Sequence, residues 1–306
     1  MQPLRGILLK VMSVTMFMGM ASLIKAASSE VPPGEAVFFR SFFALPIILG
    51  WLAIRGELKN GWKTANPMGH FWRGLVGTTA MGLGFTGLGL LPLPEVTAIG
   101  YAAPLLVVVF AAMFLNEQVG IFRLSAVALG MIGVLIVLSP RLSVGASLGT
   151  SETLGAVVVL MGAVMAALAQ VFVRKLVATE GTAAIVFWFS ITSALLALLT
   201  LPWGWSVPTA AAAAMLIMAG LLGGMGQIFL TSSYRFADAS LVAPFDYSSM
   251  ILALGIGYFI FDEVPTGTMI LGAAVVILAG VLIIWREQRL GLKRAQQRKA
   301  TGNVGS

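Results

Sequence analysis

Long apolar runs follow one another along almost the whole chain, separated by short polar breaks. A helix needs roughly 20 apolar residues to cross the hydrocarbon core of a bilayer. Ten runs come near that length: 7–26, 34–54, 71–91, 94–115, 121–138, 154–173, 184–203, 211–230, 239–261 and 269–285. The longest connections are 55–70 and 139–153, the second a Gly- and Ser-containing linker. Past Trp285 the chain turns polar and basic, and that tail is expected to be partly disordered.

Composition agrees with the pattern. Hydrophobic residues make up 58% of the chain and charged residues 10%; a soluble domain carries roughly 25% charged residues. The predicted class is an all-α integral membrane protein. The 35 glycines suit close packing of helices in lipid. With no cysteine and one histidine, His70, neither a disulfide nor a thiolate or histidine metal site is expected. No cofactor is implied.

The positions of Lys and Arg give a direction. With the N-terminus in the cytoplasm, that side holds Arg5, Lys10, Arg55, Lys59, Lys63, Arg73, Arg123, Arg174, Lys175, Arg235 and the six basic residues of the tail. The outer side holds Lys25 and Arg141, and Arg40 lies inside the second run. This bias explains the net charge of +7 without nucleic acid. Trp51, Trp62, Trp72, Trp203, Trp205 and Trp285 stand at or near run ends, as interfacial anchors do. The first run is too long for a signal-peptide core and is read as retained.

The chain also resembles itself. At an offset of 149 residues Met12, Met16 and Lys25 meet Met161, Met165 and Arg174, and Val37, Phe38 and Ser41 meet Val186, Phe187 and Ser190. At 146, Gly74, Leu75 and Gly77 meet Gly220, Leu221 and Gly223, Tyr101 meets Tyr247, and Glu117 meets Glu263. At 147, residues 133–136 meet 280–283, both Gly-Val-Leu-Ile. The halves are 6–138 and 154–286, with a linker at 139–153 and a basic cytoplasmic tail at 287–306. Five crossings per half force the second copy to enter the membrane upside down. Inverted repeats of this kind are a transporter architecture, because exchanging the conformations of the halves opens one side and then the other.

Phe39-Arg40-Ser41 in the second run, Pro104 with Leu115-Asn116-Glu117 in the fourth, and Ala243-Pro244-Phe245-Asp246-Tyr247 with Phe261-Asp262-Glu263 in the ninth resemble the drug/metabolite transporter superfamily, in its ten-span form with two EamA-type domains. The resemblance covers residues 6–286. It implies a secondary transporter of small metabolites. Members export amino acids or take up riboflavin or S-adenosylmethionine, and export of neutral or aromatic amino acids is the expectation here.

Ionisable groups inside membrane spans are functional candidates by default. Arg40 is either a cation for a substrate carboxylate or a structural Arg tied to backbone carbonyls. Asp246 is either a proton-titrating or cation-binding carboxylate or an interfacial Asp that pairs with Arg235 or caps a break at Pro244. Both break the repeat, since Arg40 aligns with Phe189 and Asp246 with Gly100. Pro104 and Pro244 each interrupt a run, as plain kinks or as breaks that line a binding site. Met16 and Met165 belong to a duplicated methionine stripe that fits a promiscuous pocket or ordinary core. Tyr101 and Tyr247 offer hydroxyls and ring faces, or simply pack. Gln170, Trp188 and Gln227 are further candidates for a substrate pathway. Glu117 and Glu263 end their runs, where each suits the N-terminus of the following helix, and Gly220 with Gly224 forms a close-packing pattern.

Rival classes find little support. Residues 145–149 match the GxSxG pattern of serine hydrolases, but they lie outside and His70 inside, so no Ser–His pair forms and no catalytic residue is assigned. A channel or a scaffold is the other rival; a channel calls for repeated polar pore residues, and these runs have few. The expected partners are a small-molecule substrate, the lipid bilayer and a coupling proton. The expected setting is the bacterial inner membrane, as a monomer or weak homodimer.

Overall fold

A computed structural model describes residues 3–115, 120–142, 151–177, 179–236 and 243–302. Those residues contain helices and no strand. The helices are α1 (Pro3–Ala27), α2 (Pro33–Phe42), α3 (Ala44–Ile54), α4 (Pro67–Leu90), α5 (Leu93–Gly100), α6 (Ala102–Leu115), α7 (Ile121–Leu142), α8 (Ser151–Val177), α9 (Thr182–Leu198), α10 (Ala210–Phe236), α11 (Ser248–Phe261) and α12 (Gly267–Gly302). All ten apolar runs carry helix.

Among the described residues, seven segments are long and apolar enough to cross a membrane: Leu4–Ala27, Pro33–Ile54, Leu93–Phe114, Leu124–Arg141, Ser151–Val173, Ala210–Leu230 and Gly267–Arg286. Thr182–Leu198 and Phe245–Phe261 are apolar but shorter. Helix α4 is long enough, but its glycines, its threonines, His70 and Arg73 make it less apolar.

Three runs are broken, and proline explains where. The second run breaks at Phe43 and the fourth at Tyr101. Pro46 and Pro104 follow each break by three residues, and their nitrogens cannot donate to the carbonyls four residues back. The ninth run starts as a 3-10 turn, Ala243–Tyr247, which contains Pro244. Elsewhere proline starts helices: Pro33 and Pro67 occupy first-turn positions, where no donor is needed. The Asn66 side chain caps α4 by accepting from Gly69 N–H.

Packing follows the repeat. Helix α1 lies along α10, and α4 along α8. These are the same contact under exchange of halves, the first run on the eighth and the sixth on the third. Helices α7 and α12 pair with each other, as do α2 and α9, and α5 and α11. Small residues make the close approaches. A Cβ on Gly224 would stand 3.1 Å from the Ala44 carbonyl oxygen, and one on Gly220 2.9 Å from that of Phe39. The Gly220/Gly224 pattern therefore serves packing of α10 on the second run within the chain.

The basic tail departs from expectation: α12 continues as one helix to Gly302. Residues 286–300 contain no proline and are rich in Arg, Lys, Gln, Leu and Ala, good helix formers that extend an already nucleated helix. Helix α7 runs to Leu142 and α8 begins at Ser151. The GxSxG match at 145–149 and Glu117 lie outside the described residues.

Candidate functional site

The two symmetric tyrosines meet where the fourth and ninth runs break. Tyr101 sits between α5 and α6, and Tyr247 closes the 3-10 turn ahead of α11. Their rings lie edge to face, 5.1 Å between centroids. The Tyr101 hydroxyl is 2.6 Å from Ser249 Oγ. Tyr247 is admitted by Gly280 on α12, where any side chain would collide with the phenol. Pro104 is exposed on the first turn of α6, and Pro244 is part of the turn that carries Asp246 and Tyr247.

Asp246 pairs with a partner the sequence reading did not consider. Its Oδ1 lies 2.7 Å from Lys10 Nζ, and the Lys10 side chain is 3% exposed against 43% for Asp246. The Lys/Arg pattern puts Lys10 on the cytoplasmic side with the other basic residues. It stands three residues into the first run, and the structure buries it against the ninth. The pair brings an ammonium and a carboxylate to the helix break.

Arg73, placed on the cytoplasmic side by the Lys/Arg pattern, is buried as well. Arg40 on α2 and Arg73 on α4 are both buried and share one aromatic ring. The Arg73 guanidinium carbon lies 3.4 Å from the Phe189 ring centroid and that of Arg40 5.5 Å. Glycines make the room. A Cβ on Gly223 would stand 3.1 Å from Arg40 Nε, and one on Gly77 would collide with Arg73 Nη1. The available signal was position: Lys10 and Arg73 are each a few residues inside an apolar run, but long basic side chains at helix ends ordinarily reach back to the interface.

The other candidates are dispersed. Met16 and Met165 are half-buried, whereas Met12 and Met161 of the same stripe are 45% and 50% exposed. Gln170 is exposed and Gln227 half-buried. Trp188 Nε1–H donates to the Trp62 carbonyl at 2.8 Å, which ties it to the 55–66 loop. Two largely apolar cavities, of about 230 and 310 Å³, lie among α1, α2, α4 and α10 and among α2, α4 and α9; Ile24, Phe85 and Leu216 line the first and Val37, Leu75 and Leu196 the second.

At the predicted outer face, both Lys25 and Arg141 are held by carboxylates. Lys25 Nζ lies 2.8 Å from Glu263 Oε1 and donates to the Leu91 carbonyl at 2.7 Å. The other oxygen of Glu263 accepts from Leu93 N–H at 2.8 Å. Glu263 therefore caps α5, in the other half of the chain, where a capping role at its own following helix was expected. Arg141 contacts Glu95 through Nη2 at 2.9 Å and Nε at 3.2 Å, and also pairs with Glu152. At the opposite face Glu180 Oε1 accepts from Thr64 Oγ1 and from Ala65 N–H, both at 2.9 Å, and from Asn66 N–H at 3.0 Å. Burial pushes the Glu180 carboxyl up, but these donors and nearby His70 outweigh it and hold it below its ordinary value. The loops before α4 and after α8 thus share one face, as the inverted arrangement requires.

The relatives agree with this architecture. The model of the EamA-like transporter family matches residues 4–139 and 153–286. An S-adenosylmethionine uptake transporter of Rickettsia conorii is 29% identical over 265 residues, 87% of this chain and 85% of that one. The pseudopaline exporter CntI of Pseudomonas aeruginosa is 31% identical over 284 residues, 91% of this chain and 95% of that one. A riboflavin transporter of Rhizobium johnstonii is 30% identical over 273 residues, 86% and 85% of the two chains. A solved crystal structure shares the fold, with a TM-score of 0.67 at 19% identity over 93% of this chain and 98% of that one. With one match of the family model in each half and full-length relatives that move metabolites, this chain is a member of the EamA-like transporter family of the drug/metabolite transporter superfamily.

Proposed function

We propose that this transporter works by alternating access across a bacterial inner membrane, with ten spans and both termini in the cytoplasm, and that it exports amino acids with neutral or aromatic side chains. It acts as a carrier, with no catalytic step. The observation that carries the reading is the Lys10–Asp246 ion pair beside the Tyr101–Tyr247 contact. An ammonium and a carboxylate 2.7 Å apart are the complement of a zwitterion, which offers the opposite charge to each. The two phenol rings add an apolar and hydrogen-bonding surface for a side chain. Broken helices near the midplane are where transporters place such sites. The ion pairs of Lys25 and Arg141 then close the outer face, while a proton on Asp246 would release Lys10 and couple the cycle to pH.

A second reading, uptake of a larger metabolite, is favoured by the names of the relatives, which include carriers of S-adenosylmethionine and riboflavin. One experiment tests both. The purified chain is reconstituted into liposomes, and counterflow of labelled phenylalanine, leucine, S-adenosylmethionine and riboflavin is measured. Saturable counterflow of the amino acids supports the first reading. Counterflow of the larger solutes alone replaces it with the second, and unsaturable conductance removes the carrier mechanism.

A further inference from the structure

Buried donors without acceptors are costly, and native proteins keep few of them. Among the described residues, the buried side-chain nitrogen and oxygen atoms with no hydrogen-bond partner are Nε and Nη1 of Arg40, Oγ of Ser41, Nε and Nη1 of Arg73 and both ring nitrogens of His70, of which Nε2 faces the Glu180 carboxylate at 3.6 Å. All seven belong to two neighbouring stretches. Arg40 and Ser41 are adjacent on α2, and His70 and Arg73 share one face of α4. Phe189 of α9 joins the stretches, because both guanidinium groups lie against its ring. Arg40 is 3% exposed and Arg73 9%. No carboxylate of the described residues forms an ion pair with either arginine. Two like charges have been taken out of water beside each other, and the ring face offers each only a weak substitute for an anion.

We propose that α2, α4, α9 and α10 enclose an oxyanion-binding site, in which a carboxylate or phosphate group is held between the guanidinium groups of Arg40 and Arg73. A planar guanidinium presents paired N–H donors that match two oxygens of such a group. Ser41 Oγ, buried next to Arg40 in the chain, supplies a neutral donor. Both guanidinium groups lie against the Phe189 ring, and Gly77 and Gly223 leave the space they occupy. The site is built from different helices from the Tyr101–Tyr247 junction, so it stands whether or not amino acids are the transported solute. The oxyanion is either a soluble solute or the phosphate of a lipid headgroup.

The test uses the full chain, delipidated in neutral detergent, with thermal unfolding as the readout. Sodium phosphate and sodium acetate are titrated against sodium chloride at matched ionic strength. In a parallel arm phosphatidylglycerol is titrated against phosphatidylcholine. Saturable stabilisation by phosphate or acetate beyond chloride identifies a solute site. Stabilisation by phosphatidylglycerol alone identifies a headgroup site. In either case the Arg40→Gln/Arg73→Gln double variant loses the response and is no less stable than the wild type in anion-free buffer. Arg73→Lys, which keeps the charge and loses the fork, weakens the apparent affinity at least fivefold. The proposal is overturned if the wild type answers phosphate and acetate no better than chloride and phosphatidylglycerol no better than phosphatidylcholine. An Arg73→Lys titration that superimposes on the wild type overturns it equally.

Discussion

Arg40 stands in the first half of the chain where Phe189 stands in the second, and the two touch, with the guanidinium carbon 5.5 Å from the ring centroid. Each lies against one glycine of an equivalent pair, Arg40 against Gly223 and Phe189 against Gly77. The duplicated scaffold therefore accepts an aromatic ring at this place, and the first half has a cation there instead. Replacing an uncompensated buried charge with an apolar side chain of similar bulk is often neutral or stabilising. Arg40→Phe should raise the unfolding temperature in detergent by a few degrees, corresponding to about 1 kcal/mol or more. A fall in stability would mean that the guanidinium is part of the packing scaffold.

Asp246→Asn leaves Lys10 facing a neutral amide. Loss of a charged partner for a buried ammonium should cost about 2 kcal/mol, reduced from the fully buried case because the carboxylate is partly exposed. Counterflow measured between pH 5.5 and 8 should lose its pH response in this variant. An unaltered pH profile would exclude Asp246 as the proton-carrying group.

Glu263→Gln removes both the charge that holds Lys25 and the strongest acceptor for Leu93 N–H. The outer face should then open more readily. The natural absence of cysteine allows Thr97→Cys on α5 to serve as a reporter. Its labelling rate with a membrane-impermeant maleimide should rise about fivefold when Glu263→Gln is added, matching a shift of about 1 kcal/mol in the open–closed equilibrium. Equal rates would show that this ion pair does not hold the gate.

Glu180 provides a test at the other face. Its carboxyl is held below its ordinary value, so it stabilises the fold at a pH above the unfolded-state value, near ~4.3, and that contribution fades as the pH falls toward the folded-state value. At pH 7 Glu180→Gln should lower stability by about 1–2 kcal/mol. The gap between variant and wild type should narrow steadily below pH 4.5 in thermal unfolding. A gap that stays constant down to pH 3 would assign the loss to packing instead of charge.

Gly280→Ala should displace the Tyr247 phenol, since a methyl group there collides with it. Counterflow should drop at least tenfold, while Gly50→Ala, on an exposed stretch of α3 with open space around it, should leave counterflow unchanged. Normal transport by Gly280→Ala would remove the tyrosine junction from the pathway.

Much of this architecture was legible in the linear order of residues. Ten apolar runs, the Lys/Arg bias and the offsets near 147 led to a helical, duplicated membrane protein, because lipid demands long unbroken apolar stretches whose backbone bonds are satisfied locally. Pro104 and Pro244 foretold broken runs for the same local reason, whereas the break ahead of Pro46 came only with the structure. The tyrosine pair was visible as a repeat, although the contact between Tyr101 and Tyr247 was not. The helical tail was misread because its charge suggested disorder, while its helix-forming composition and its attachment to α12 prevailed.

The sequence by itself determined what depends on neighbours along the chain: which stretches are apolar, where a missing N–H opens a helix, and that one half repeats the other. Only the tertiary structure decided which charges meet. Lys10 finds Asp246 from 236 positions away, Lys25 finds Glu263, and Arg40 and Arg73 converge on Phe189. The reason is physical: a side chain's electrostatic partner is chosen by helix packing, and packing depends on the shapes of all the helices at once.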